Sequence, residues 1–328
     1  ESLSDDADFR KLLRRSLACC GVLLLGLLLY YVFLKLTLCL YGTQLSDYQG
    51  VSSMGELSLS GIPGLIYEAF YSACMLPVKD YCGLAAMKLI KAAYLLIGLF
   101  SGVLLVFLLI KRVRKPSIRL LSLMLCAVFP VAVNFVVIMC PDSWIYTLMV
   151  YSFVLISYVP LILLNQLTED DKKRLWLGIV KKGVAITLSV LALCYAYQTN
   201  VNYTALYYAN RQVENYFSSI VTQVRMADGF TPDMEWALIG DIEDPLLGCY
   251  WEYEMTYGGV EFTQWLLNRY SWWDWIHNYY GYAIPTASDE KIRFLAQSDA
   301  VRAMPCWPAD GSIQVVGDTV VIKCQELP

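Results

Sequence analysis

The chain has 328 residues, of which 57% are hydrophobic and only 16% charged, with a formal net charge of −4. That balance excludes an ordinary soluble globular protein, where about a quarter of residues are charged, and it gives no reason to expect a nucleic-acid partner. The charges are segregated along the chain rather than spread, so their positions say more than their sum.

Residues 1–15 form a basic segment with Arg10, Lys11, Arg14 and Arg15, and the first apolar run follows at 17–38. A spanning helix needs about 20 predominantly apolar residues, and four further runs meet or approach that length: 92–110, 120–140, 145–164 and 179–197. The first run is too long for the apolar core of a signal peptide, and no small-residue cleavage site follows it. The chain also opens on Glu1 rather than Met, so a piece of a longer protein is expected.

Lys111, Arg112, Arg114, Lys115 and Arg119 lie between the second and third runs, and Lys172, Lys173, Arg174, Lys181 and Lys182 between the fourth and fifth. If all three basic segments stay in the cytoplasm, as the positive-inside bias requires, five spans alternate without conflict. The fold expected is therefore a multispanning α-helical membrane protein of about five helices, with a transmembrane region at 16–197. Loop 41–91 and residues 198–328 then lie outside, the latter as a stalk and a small extracytoplasmic α/β domain. For a bacterial chain this means the cytoplasmic membrane.

The outer loop 41–91 is too long for a simple connector. Its segment 62–75 reads as an amphipathic helix lying along the interface. Glu68, Lys79 and Asp80 would then sit near the headgroup plane, where Lys79 meets a lipid-linked phosphate and a carboxylate serves as base. The plainer alternative is that these charges only anchor the helix. Inside the spans, Asn134 is the most polar mid-span group, so no ion or proton relay is visible and a transporter reading is weakened.

Beyond the last span, apolar residues continue at helical spacing through Leu206, Val213, Phe217, Ile220 and Val224, which predicts a helical stalk over 203–226. Residues 235–240 read as a buried strand, 260–270 and 288–303 as helices, the second capped by Ser288. Residues 312–316 and 319–323 read as a hairpin across Gly317-Asp318. The acidic run Gly240-Asp241-Ile242-Glu243-Asp244 suits a solvated loop better than a cation site, because the spacing of a calcium loop is absent. The aromatic clusters at 250–253, Trp265 and 272–275 suit sugar stacking, headgroup contact or plain packing, and Asn202-Tyr203-Thr204 is a glycosylation sequon close to the membrane.

Of eleven cysteines, Cys19, Cys20, Cys39, Cys126, Cys140 and Cys194 fall in spans and behave as small apolar residues. Cys74, Cys82, Cys249, Cys306 and Cys324 would face an oxidising compartment, and a Cys306–Cys324 bridge across the hairpin is expected. No Cys or His spacing suits zinc, the single His277 reads as a packed or surface residue, and no metal is expected.

Several segments together resemble the bacterial membrane glucosyltransferase family of O-antigen serotype conversion. They are Tyr41-Gly42-Thr43-Gln44-Leu45-Ser46-Asp47-Tyr48-Gln49-Gly50, Ser53-Met54-Gly55-Glu56, the Arg119…Pro130…Asn134 span, Thr147-Leu148-Met149-Val150-Tyr151, and Asn202-Tyr203…Tyr207…Asn215-Tyr216. The resemblance implies a C-type glycosyltransferase that takes a sugar, glucose by the family, from an undecaprenyl-phosphate carrier and gives it to a cell-surface glycan on the outer face. It further implies that the family's catalytic carboxylates lie in an upstream outer loop and that this chain is the C-terminal portion. Asp47 and Glu68 are then candidate catalytic carboxylates by location, with Lys79 and Tyr48 as candidate substrate contacts. A lipid phosphate is already a good leaving group, so the chemistry needs a base for the acceptor hydroxyl and positive charge for the departing phosphate. No nucleotide diphosphate takes part and no cofactor is expected. Two other classes compete: a non-enzymatic membrane protein whose outer domain binds a partner or glycan, and an exporter.

Overall fold

The computed structural model describes residues 9–43, 60–139, 141, 145–242 and 269–325. Among the described residues, five helices are long and apolar enough to cross a membrane. The chain divides within the last of them, at residues 198 and 199, into two compact units.

The first unit holds α1 (Phe9–Tyr41), α2 (Ile62–Met75), α3 (Lys88–Lys111), α4 (Pro116–Val133), the single turn α5 (Val136–Met139), a 3₁₀ segment (Thr147–Phe153) that runs into α6 (Val154–Asn165), α7 (Glu169–Lys172) and the start of α8 (Leu175–Met226). The interfacial helix expected at 62–75 forms as α2. α1 buries none of its residues. The run 120–140, expected as one span, is broken in two. Pro130 contributes no backbone N–H, and the helix stops three residues later at Val133, with Asn134 (φ −111°, ψ 35°) as the cap beyond it. The Val133 carbonyl at that end accepts from Ser152 Oγ, so this backbone group freed by the helix end has a protein partner.

Two apolar clusters hold the bundle. Leu76, Leu84, Ile90, Ile97, Val133, Val150, Phe153 and Leu191 pack where α2, α3, α4, the 3₁₀ segment and α8 converge. Leu104, Leu108, Leu163, Leu167 and Leu177 pack at the opposite end of α3. Gly183 explains how closely α3 and α8 approach, because a Cβ there would lie 2.7 Å from the Phe100 ring.

The connection from α6 to α8 is fixed by one buried carboxylate. Thr168 and Asp171 form a reciprocal capping box around α7. Asp171, fully buried, also accepts from Lys111 Nζ, and Arg112 lies 4.0 Å away.

In the second unit, α8 carries on to Met226, so the stalk expected at 203–226 is helical throughout. There follow β1 (Glu235–Ile239), α9 (Arg269–Asp274) continuing as a π-helical turn (Trp275–Tyr279), α10 (Asp289–Gln297), α11 (Asp299–Arg302), β2 (Ile313–Val316) and β3 (Thr319–Lys323). The sheet order is β1-β3-β2, with β1 parallel and β2 antiparallel to β3. Alternation decides the layers. Trp236, Leu238, Val320 and Ile322 meet Val213, Phe217, Ile220 and Val224 of the stalk, with Trp272 and Trp307 between them. Ala237, Ile239 and Val321 face Ile292, Leu295, Val301 and Met304 on the other side. A central strand covered on both faces is why β3 reads as an unbroken apolar run.

The hairpin expected at 312–323 is present, with Gly317 at φ +65° opening its two-residue turn. The single helix expected over 288–303 is two. Ser298 is extended (ψ 143°), ending α10 and capping α11 by accepting from Val301 N–H, a local bond with which serine competes against helix continuation. Of the helix expected at 260–270 only the end is described, as the start of α9; the clusters at 250–253, Trp265, Glu243, Asp244, Cys140 and Cys249 lie outside the described residues.

Lys323 is 2% exposed, and its ammonium donates to the carbonyls of Arg302 (3.1 Å) and Met304 (2.7 Å), closing the C-terminal end of α11. Lys323→Met keeps the apolar stem but leaves those carbonyls unpaired, and an expected loss of about 2 kcal/mol follows. Thermal unfolding of the full chain followed by tryptophan emission checks this; an unchanged midpoint refutes it.

Candidate functional site

The loop between α2 and α3 is held by a dense set of hydrogen bonds. Met75 O accepts from both Val78 N–H and Lys79 N–H (2.8 Å each), which ends α2. The chain then doubles back: Leu84 N–H reaches Tyr81 O (3.0 Å), and Asp80 Oδ1 accepts from Ala85 N–H at 2.7 Å. Both central residues of this turn are left-handed, Cys82 at φ +52° and Gly83 at φ +75°. For cysteine that conformation costs on the order of 1 kcal/mol or more and persists only where the surroundings over-determine it.

The surroundings do so. Three consecutive carbonyls each take a side-chain donor: Cys82 O from Thr147 Oγ1, Gly83 O from Gln198 Nε2 at 2.7 Å, and Leu84 O from the Tyr195 hydroxyl at 2.8 Å. Cys82 Sγ donates to Ile145 O (3.3 Å), and the Tyr81 hydroxyl lies 3.2 Å from the Asn134 carboxamide. The helix break after Pro130 thus has a use, since it delivers Asn134 to this turn. Burial pushes the Tyr81 phenol up to about 12 and the Cys82 thiol up to about 11, so both are neutral at physiological pH.

Against this turn lies a cavity of about 480 Å³, lined by Leu84, Tyr94 of α3, Thr147, Tyr151, Phe153, Ser157 and Tyr158 of the 3₁₀ segment and α6, and Leu188, Leu191 and Tyr195 of α8, among others. It falls within the roughly 300–1,000 Å³ range of ligand sites. Its walls are apolar except for hydroxyls. The Tyr94 and Tyr195 hydroxyls are 2.8 Å apart, and Ser157 bonds Tyr94. No carboxylate, lysine or arginine is among the lining residues. Such a cavity suits a long apolar chain with a hydrogen-bonding end; proton transfer would need a group from elsewhere.

The expected site residues fall differently. Glu68 is exposed on α2, beside the stacked pair Tyr67 and Tyr71. Lys79 is exposed, with its Nζ 5.5 Å from the centre of the Tyr71 ring. Glu68 is on the α2 surface, Lys79 follows in the loop after α2, and neither lines the cavity. Asp47 and Tyr48 lie outside the described residues. Tyr81, Gly83, Tyr195 and Gln198 were not singled out from the sequence, and Thr147 entered only as part of a segment that carries the resemblance. The one available signal was the Cys82-Gly83 pair, since a glycine there permits a left-handed turn. Asn202 of the sequon is buried. Among the described residues no group of three or more His, Cys, Asp or Glu side chains is placed to hold a metal ion.

Cys306 and Cys324 are both thiols in the structure. Their backbones run side by side, with Trp307 N–H donating to Lys323 O at 2.7 Å. Burial, and next the neighbouring Cys306, push the Cys324 thiol up to about 12. In protein recovered from an oxidising compartment the two are expected to form a bridge, the thiols giving up two protons and two electrons by exchange with a protein disulfide. Peptide mapping without reductant should find the linked pair; full alkylation of both in unreduced protein would refute it.

Over residues 1–157 the chain matches a family model described as Glucosyl transferase GtrII. No curated protein and no solved structure matches it. The resemblance read from the sequence is thus borne out over those 157 of 328 residues, which include the strained turn, Asn134, Tyr94 and Thr147. The description of that model names a glucosyl transferase. Tyr195, Gln198 and the whole second unit lie beyond the matched stretch.

Proposed function

We propose that the protein is a membrane glucosyltransferase that takes glucose from an undecaprenyl-phosphate carrier and passes it to a cell-surface glycan on the outer face of the bacterial cytoplasmic membrane. The cavity of about 480 Å³ carries this reading. Its apolar walls suit isoprenoid units, and the Tyr94, Tyr195 and Ser157 hydroxyls beside the pinned turn suit the polar end where chain meets phosphate. The basic segments favour an orientation in which the turn and the stalk domain face outward. Lys79 would steady the departing lipid phosphate, and Glu68 or Asp47 would draw the proton from the acceptor hydroxyl.

Membranes carrying the protein are expected to move label from undecaprenyl-phosphate-[¹⁴C]glucose to a surface-glycan acceptor. Ser157→Leu, which blocks the cavity with an apolar side chain, should raise the KM for the carrier at least ten-fold. Transfer with unchanged KM would sink the cavity's role. A second reading is favoured by the lack of any carboxylate in the cavity wall: a non-enzymatic membrane protein with a partner- or glycan-binding outer domain. It predicts carrier binding without transfer.

A further inference from the structure

The second unit carries a cleft of its own. It has a volume of about 680 Å³ and lies between the end of the stalk helix and the edge of the sheet, with Gln223, Met226 and Asp228 on one side and Asp310, Gln314 and β2 on the other. The polarity of this cleft is opposite to that of the cavity in the first unit. Two carboxamides and two carboxylates border it, and no lysine, arginine or histidine is among its lining residues. Among the described residues no hydrogen bond or ion pair engages Asp228 or Asp310. Gln314 is oriented by its Nε2 donating to Gly311 O at 2.9 Å, which leaves its carbonyl oxygen as an acceptor.

The strand adds fixed groups. β2 is the edge of the sheet. Lys323 N–H donates to Ser312 O (3.0 Å), so by alternation Ser312, Gln314 and Val316 address β3, and the N–H and C=O of Ile313 and Val315 face away from it. Met226, 77% exposed, offers an apolar platform beside them. Planar amides and carboxylates with paired acceptors match vicinal hydroxyls, an edge strand supplies both donors and acceptors, and an apolar platform meets the C–H face of a ring. Unneutralised carboxylates at the same time disfavour an anionic ligand.

We propose that this cleft binds a neutral or amino-sugar oligosaccharide and excludes acidic ones. Its role as the acceptor site rests on the proposed transferase function; its binding of a glycan does not.

The test uses the full chain in lipid nanodiscs and saturation-transfer NMR with four probes: maltotriose, chitotriose, trigalacturonate and trilysine. At least one of the first two is expected to bind and trigalacturonate is not. Asp310→Ala and Gln314→Ala, both at exposed positions, should each weaken binding ten-fold or more while thermal unfolding stays unchanged. Binding by neither maltotriose nor chitotriose, equal binding of trigalacturonate, preferential binding of trilysine, or sugar binding indifferent to both substitutions overturns the proposal. Sugar binding lost in the variants together with no glucose transfer by the parent chain would sink the transferase reading and leave the cleft standing. Transfer without sugar binding at the cleft would do the reverse.

Discussion

Gly83→Val is expected to cost the first unit roughly 3 kcal/mol and to cut carrier binding and transfer more than a hundred-fold. Gly83 is buried at φ +75°, and a β-branched residue there is strained by about 1–3 kcal/mol before any contact is considered. The strain would be relieved by moving the peptide, but its carbonyl is held by Gln198 and its neighbours' carbonyls by Thr147 and Tyr195. Releasing any of these strands a buried polar group at about 1–3 kcal/mol. The substituted chain must therefore either keep the turn under strain or give up its bonds to α8 and the 3₁₀ segment. Tyr195 also lines the cavity, so the second choice deforms the binding surface. Cys82→Gly is the matched control. It removes the strain of a cysteine at φ +52° at the loss of one weak Sγ bond to Ile145, and it should leave the unfolding midpoint unchanged or slightly raised. Thermal unfolding in nanodiscs and carrier titration read both variants; equal behaviour of the two would show that the turn's conformation does not matter.

This turn also marks where the sequence stops being informative. Length and apolarity located the five helices that are long and apolar enough to cross a membrane, because in a bilayer every backbone group must bond within its own helix and the pattern is local. The stalk, β1 and the hairpin were legible for the same reason, through period and turn residues. The break after Pro130 was missed as a boundary although its proline was in plain view, since apolar residues resume at Phe135 and hide it. The pinned turn left still less trace. Its contacts join Tyr81 to Asn134 across 53 positions, and Gly83 and Leu84 to Gln198 and Tyr195 across 115 and 111. Asn134 stood out as polar at mid-span, but nothing local names its partner. Glu68 and Lys79 attracted notice through charge, whereas the cavity is built of hydroxyls on apolar helices, which look in sequence like any aromatic span.

At the other end of α3, Asp171→Asn is expected to destabilise the first unit by about 2 kcal/mol. Removing one member of a fully buried ion pair costs roughly 3–5 kcal/mol; here the Lys111 side chain keeps 38% of its surface exposed and can turn to water, while Arg112, at 13%, cannot do so as easily. Burial alone would raise the Asp171 carboxyl. The hydrogen bond from Lys111, the Thr168 donors and the Lys111 charge outweigh it and hold the group down to about 2. A carboxyl whose pKa is lower folded than unfolded stabilises the fold fully above its unfolded value near 4, and loses that contribution as pH falls through its folded value. The parent midpoint should therefore fall between pH 4 and pH 2 by more than that of Asp171→Asn, and the two should converge toward pH 2. Parallel curves over that interval would mean that the loop from α6 to α8 is held by its apolar neighbours, Leu163, Leu167 and Leu177, and that the carboxylate contributes only the cap of α7. Convergence would place the clamp of α3 on α7 in the ion pair itself, at the end of the bundle opposite the turn that shapes the cavity.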